Sequence, residues 1–324
     1  MQKNLYPLRF EPFFQYRIWG GDQLRKLLKK PIPSGNIGES WEISDVQSYL
    51  SVVTNGSLAG RHLKELITLY KEELLGEKVY ERFGNQFPLL IKFIDAHEKL
   101  SIQVHPDDKL AKQRHNSFGK NEMWYIMHTE ESAELIVGFK ENISKENYRK
   151  LTSSEKEEVL NKVKVQKGQV YYLPAGRIHA IGAGVLLVEI QQRSDITYRI
   201  YDYNRKDKNG QIRELHTELA LDAIDFSLYN RYDTPYKIKE NLFSKIIDTS
   251  YFKIKILSFH GKIKKKYEPK ETFRVFIVVE GNLEIKTSTT TEKLKIGDTL
   301  LLPAFVDEVH FISAPGAKVL EASL

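Results

Sequence analysis

Gln103 and His105 stand two residues apart in LSIQVHPDD, shortly after the apolar run 87–94. On an extended strand, residues i and i+2 share a face, so the carboxamide and the imidazole point into one space. Pro106 follows and ends the ladder, because it has no N–H to donate. An imidazole beside a carboxamide oxygen is half of a metal site, and a single His needs further nitrogen or carboxylate donors. The plain alternative is two polar residues on a solvated face, and the pair by itself favours that alternative.

Two other segments supply the missing donors. Glu122 lies in GKNEMWYIMH, where Glu122, Trp124, Ile126 and His128 alternate with Met123, Tyr125 and Met127. That alternation predicts a strand entered from a Gly-containing turn. His179 lies in GQVYYLPAGRIHAIGAG, where a β-rich run meets a Pro-Ala-Gly turn before a further strand over 185–192. Short strands and turns fold back on one another, so His105, Glu122 and His179 can converge, with Gln103 as a fourth oxygen donor. Two imidazoles and a carboxylate leave a coordination position for water or a substrate oxygen, as catalytic metal sites require. Against this stands the ordinary fate of His and Glu, most of which lie at the surface; the chain has nine His.

The elements that must position these residues are mostly strands. Aromatics make up 11% of the chain, with 17 Tyr and 16 Phe, which favours β structure. Helical spacing is confined to 61–82, interrupted at Gly76, to two short helices within 144–163, and to 215–226. Ser154 with Glu157 fits a capping box for the second of the two short helices. The remainder reads as short strands and turns, as in sandwiches and barrels. The polar stretch 229–236 marks a boundary, giving domains 1–235 and 236–324.

A weak internal repeat supports two similar barrels. Gly168 to Ala175 reads GQVYYLPA, and Gly297 to Ala304 reads GDTLLLPA. Five residues past the proline, the first copy has His179 and the second has Glu308. The second copy also lacks a Gln-x-His upstream. The C-terminal barrel is therefore expected to hold no metal, with His310 an ordinary histidine.

Composition narrows the function classes. With 324 residues, 41% of them hydrophobic and 28% charged, the chain suits a soluble globular protein of one large or two ordinary domains. It has no Cys, which excludes thiolate ligands, disulfides and cysteine nucleophiles. Neither a signal-peptide core nor an apolar stretch of membrane-spanning length is visible, so a cytoplasmic location is expected. The net charge of +6 suits an anionic small substrate. The densest basic run, Lys262 to Lys266, alternates as on a solvated edge strand, and no nucleic-acid motif accompanies it.

With these residues in place, the chain resembles the type I mannose-6-phosphate isomerases, zinc enzymes built on the cupin fold. The resemblance runs from about Leu8 to the C-terminus. It is carried by seven ordered blocks: YRIWGG (16–21), GESWEIS (38–44), PLLIKFIDA (88–96), LSIQVHPDD (100–108), GKNEMWYI (119–126), YLPAGRIHAIG (172–182) and EIQQRSDITYRIYDYNR (189–205). The length matches the short bacterial branch. The fold implied is mainly β, with tandem cupin (jelly-roll) barrels and a few helices attached to the N-terminal barrel.

The resemblance implies one Zn²⁺ per chain, held by Gln103, His105, Glu122 and His179. It implies catalytic roles for Arg199, Lys120 and Glu189, and substrate contacts from Ser101, Lys92, Trp19 and Glu39. Trp41 matches a pocket wall, and core packing explains Trp19 and Trp41 equally well. The other reading of Glu189 is a salt bridge to Arg199 or Arg193, and that of Arg199 an ion pair with Asp195 or Asp202. Ile181 departs from longer relatives, which carry a tyrosine there. The reaction implied interconverts mannose 6-phosphate and fructose 6-phosphate through a cis-enediol. The partner is then a sugar phosphate, with no nucleic acid and no membrane; a monomer is the default, with a dimer left open. Two rival readings are a non-haem Fe(II) cupin oxygenase, which also uses two His and a carboxylate, and a non-enzymatic sugar-binding cupin.

Overall fold

The structure is a computed structural model that describes residues 5–32, 35–207 and 209–324. Strands dominate, as the aromatic and alternating composition requires. One sheet has six strands in the order Phe13–Gly21, Ile37–Ile43, Leu89–Ala96, Val185–Gln192, Glu122–Thr129, Val170–Leu173. A second has five, in the order Tyr198–Tyr201, Ile102–Val104, His179–Ile181, Glu134–Phe139, Leu160–Lys164. Trp19, Trp124, Leu135, Val137, Tyr171 and Leu187, drawn from both sheets, pack into one buried cluster. Such interdigitated inner faces are the core of a β-sandwich.

The chain clusters into two compact units. One comprises 14–41 and 91–234; the other comprises 42–90 and 235–324 together with the chain up to Phe13. The second unit carries its own six-stranded sheet, built on the long strands Lys253–Lys266, Arg274–Lys286 and Glu308–Ser323. These strands bend where the register breaks beside Gly261 and Gly281. Gly281 has φ +74°, and a Cβ there would lie 2.4 Å from the Gly316 carbonyl oxygen, so the bend needs glycine. The bends curl the sheet around Phe259, Phe276, Phe311 and their neighbours.

Helices appear where the spacing places them, with two corrections there and two α-helices outside the expected ranges, Gln23–Lys26 and Asp108–His115, the latter capped by the Asp107 side chain. The 61–82 pattern forms Leu63–Tyr70, Glu72–Leu75 and Glu77–Phe83, and Gly76 separates the last two at φ +97°. The capping box belongs to Thr152 and Glu155, not to Ser154 and Glu157. Thr152 has the extended backbone of an N-cap, accepts the Glu155 N–H, and receives the Glu155 side chain on its own N–H. The helix Ser153–Glu158 therefore starts earlier than the sequence suggests, and residues 160–164 form a strand against Glu134–Phe139. The basic run 262–266 does alternate, with Lys262, Lys264 and Lys266 exposed on the strand Lys253–Lys266.

Candidate metal centre

Strand register explains how the ligand candidates meet. In the five-stranded sheet, Gln103 lies opposite Arg199 on one side and opposite His179 on the other. Directly opposed residues share a face, so Arg199, Gln103 and His179 form one row. In the six-stranded sheet, Glu122 lies opposite Leu173 and Gln191, and Trp124 lies opposite Tyr171 and Glu189. The two inner faces bring these rows together. Candidate donor atoms of His105, Glu122 and His179 all lie within 4.8 Å of one another.

Each imidazole is oriented by a backbone carbonyl. His105 Nδ1 is 2.9 Å from the Ile196 oxygen, and His179 Nδ1 is 2.8 Å from the Arg177 oxygen. With Nδ1–H donating to a carbonyl, Nε2 is the free lone pair, and both Nε2 atoms face Glu122. His105 Nε2 is 3.4 Å from Glu122 Oε2, and His179 Nε2 is 3.2 Å from Oε1. Metal-binding histidines are commonly held in this way through their second nitrogen. The Gln103 amide reaches within 3.3 Å of His179 Nε2.

Electrostatics prepare the same state. Burial pushes His105 down to about 3, assisted by the Lys120 ammonium, so the ring is neutral. Burial also pushes His179 down. Burial alone would raise Glu122, but Lys120 and the two imidazoles outweigh it and hold the carboxyl well below its ordinary value. Glu122 is 0% exposed, and neither of its oxygens accepts a well-aligned hydrogen bond. Lys120 Nζ lies 3.1 Å from Glu122 Oε2 as an ion pair and 3.1 Å from His105 Nε2. An ionised carboxylate buried this deeply costs several kcal/mol without full compensation. Two neutral imidazoles, a carboxylate with unfilled acceptor sites and a carboxamide are the donor set of a divalent metal, and they fit zinc.

The loop bearing Lys120 is tied down on both sides. Lys120 N–H donates to the Pro106 carbonyl at 3.1 Å, and Gly119 N–H donates to Asp108 at 2.8 Å. Asn121 is bound to Gln192, whose own amide donates to Asp108 at 3.0 Å.

The remaining candidates separate into two groups. Lys92 and Glu189 are joined to each other: Lys92 Nζ donates to Glu189 Oε1 at 3.0 Å and to Gln191 at 2.9 Å. Glu189 Oε2 accepts the Trp124 indole N–H at 2.9 Å, so both oxygens are engaged, and the partner is neither Arg199 nor Arg193. Glu39 takes a bidentate bond from Arg17 at 2.9 and 3.1 Å and the Trp41 indole N–H at 2.6 Å. Burial would raise Glu39, but Lys92 and Arg17 overcome it and hold the carboxyl at about 2. Lys92 also sits 5.0 Å from the Trp41 ring centroid. Trp19 packs in the core cluster with Trp124, and Ser101 is buried immediately before the strand Ile102–Val104.

Arg199 stands in the row with Gln103 and His179, but its head is held elsewhere. Nη1 donates to the Glu214 carbonyl at 2.9 Å, and the buried Nε has no partner. Asp202 does not pair with it, being taken by Arg205 and Arg213. Burial, and then repulsion from Arg213, lowers its pKa. Arg205, Arg213 and Trp124 are residues the sequence did not single out; the alternation Glu122, Trp124 was the one signal for the last.

Known proteins bear on this geometry. The family model for the phosphomannose isomerase type I catalytic domain matches residues 8–122. Mannose-6-phosphate isomerase ManA of Bacillus subtilis is 37% identical over 300 residues, covering 92% of this chain and 93% of that protein. The chain belongs to the type I phosphomannose isomerase family. A mannose-6-phosphate isomerase from Streptococcus mutans is 33% identical, covering 94% of this chain and 95% of the relative. The solved mannose 6-phosphate isomerase of Bacillus subtilis superposes with a TM-score of 0.88 at 34% identity, covering 99% of this chain and 100% of that one. The cupin architecture read from the sequence is thus that of a solved family member. Among the described residues, no helix is long and apolar enough to cross a membrane.

Proposed function

We propose that the chain interconverts mannose 6-phosphate and fructose 6-phosphate through a cis-enediol, with one zinc ion at Gln103, His105, Glu122 and His179. The observation that carries this reading is the buried Glu122 carboxylate, unfilled by hydrogen bonds and faced by two carbonyl-oriented imidazoles, in a chain of this family. Bound there, zinc would supply Lewis acidity toward the substrate oxygens on C1 and C2, the two carbons between which the proton moves.

The protein's own groups divide the remaining work. Lys120, whose pKa is raised because Glu122 and Glu189 overcome the burial that would lower it, stays an ammonium. It places positive charge, and a proton to share, at a substrate oxygen beside Glu122. Arg199 keeps an uncommitted edge of its guanidinium at the end of the Gln103 row and offers it to the substrate phosphate or an oxyanion. Glu189 can take the sugar proton only by releasing Lys92 or Trp124, so in the resting site it acts as the counter-ion that fixes Lys92. The guanidinium of Arg199, which forms no ion pair among the described residues, favours a phosphorylated sugar over a neutral one.

The test is a coupled assay that follows fructose 6-phosphate formed from mannose 6-phosphate by zinc-loaded protein. Turnover supports the proposal. Absence of turnover with the metal site fully occupied rejects it.

A further inference from the structure

Trp124 joins the two halves of this site through one rigid side chain. It lies two residues after Glu122 on the same strand face, and it lies directly opposite Glu189 in the neighbouring strand. Its indole N–H donates to Glu189 Oε2 at 2.9 Å. Its ring meets the His179 imidazole edge-on, with centroids 5.2 Å apart and planes at 88°. The side chain is 0% exposed and belongs to the buried cluster that includes Trp19, Leu135, Val137 and Leu187.

These contacts constrain two different groups. The Arg177 carbonyl fixes His179 through Nδ1, and the perpendicular indole limits rotation of the ring about that bond. Nε2 thereby stays aimed at Glu122. At the other end, Glu189 has two oxygens and two partners, Trp124 and Lys92. Removing the indole donor leaves a buried carboxylate oxygen unsatisfied and frees the group to turn away from Lys92. An apolar filler of equal size would serve the core equally well but could not donate.

We propose that Trp124 is a positioning residue that sets both the His179 ring and the Lys92–Glu189 pair. The inference rests on the proposed zinc isomerase reading. Its two contacts are separable, because Phe keeps an aromatic ring and lacks the N–H, whereas Leu lacks both.

The experiment compares Trp124→Phe and Trp124→Leu with the unsubstituted protein, all loaded with zinc. Turnover and release of zinc to a chromogenic chelator are both measured, together with the unfolding midpoint. Trp124→Phe should lower kcat by about 10–100-fold, with KM changed by no more than about threefold and zinc release close to that of the unsubstituted protein. Trp124→Leu should in addition speed zinc release by about tenfold or more. A role in core packing alone moves the unfolding midpoint and leaves kcat of the zinc-loaded Phe variant unchanged. An unchanged kcat in Trp124→Phe, or zinc release by Trp124→Leu at the unsubstituted rate, overturns the proposal. Should the Leu variant fail to fold, the kcat of the Phe variant decides it. The unsubstituted protein's own turnover tests the isomerase reading, so the two can fail separately.

Discussion

Arg274 holds in the C-terminal sheet the register position that Glu122 holds in the N-terminal one. Leu173 pairs with Glu122 one residue before Pro174, and Leu302 pairs with Arg274 one residue before Pro303. The correspondence extends further: His179 pairs with Gln103, and Glu308 pairs with Lys266. The guanidinium of Arg274 is buried, lies 3.8 Å from the Tyr267 ring centroid, and donates to the Thr272 carbonyl and to Glu271. A fixed internal cation at a ligand position repels a divalent ion.

Metal content should therefore be about one zinc per chain after loading and desalting, and His105→Ala should bring it close to zero. Elemental analysis checks both values. A second tightly held ion, or an ion that survives His105→Ala, would show that the C-terminal barrel also binds metal.

Arg199→Ala should lower turnover by about 100-fold or more while shifting the unfolding midpoint by only a few degrees. The reason is that Arg199 forms no ion pair among the described residues, and its single side-chain bond goes to a loop carbonyl. Arg213→Ala should do the reverse in part. It strips a bidentate partner from the buried Asp202 and so should cost stability as well. Steady-state kinetics beside thermal unfolding separates the two effects.

Beside the buried neutral imidazoles of His105 and His179, which favour the folded state less as pH falls, two carboxyl groups of opposite sign shape the response of stability to acid. Burial raises Asp95 to about 6, against the hydrogen bonds it accepts from the Gln23 and Leu24 N–H groups. A raised carboxyl favours the folded state at low pH, so that contribution, on the order of 3 kcal/mol, is lost as pH rises from about 4 through 6. Glu39, held at about 2, contributes stability present above about 4.5 and lost as pH falls through 2. Asp95→Asn should remove this one contribution, so that between about pH 4 and 6 stability rises more steeply, or falls less, with pH by about 1.4 kcal/mol per pH unit, and leave the acid limb intact. Urea unfolding across pH checks this, and an unchanged slope in the variant contradicts it.

The capping box at Thr152 is remote from the metal cluster in sequence and caps an exposed helix. Thr152→Ala should cost about 1 kcal/mol of stability with turnover unchanged. Denaturant unfolding and steady-state kinetics together test that separation.

The cluster of His105, Glu122 and His179 was legible because period-2 alternation fixes direction. Gln103, His105 and Glu122 each stand where a strand begins or ends, and the Pro-Ala-Gly turn marks His179. The Gly-to-Pro repeat also set Glu308 against His179, the comparison on which the expectation of a metal-free C-terminal barrel rests. What alternation does not fix is register between strands distant in sequence. That is why the salt-bridge reading of Glu189 named Arg193 or Arg199, whereas its partners are Lys92 and Trp124, from strands on either side of its own. The same holds for Asp202, claimed by Arg205 and Arg213 within a long loop that has no periodicity. The strand 160–164 was hidden by its polar exposed face, and the helix before it by three consecutive capping residues, Thr152, Ser153 and Ser154, of which geometry selects the first.

The most direct measurement is a titration of metal-free protein with zinc while isomerisation of mannose 6-phosphate is followed. Turnover should rise from near zero and level off at about one zinc per chain, and Glu122→Gln should leave the trace flat. Full turnover in the metal-free protein, or none at saturating zinc, would contradict a zinc isomerase centred on His105, Glu122 and His179.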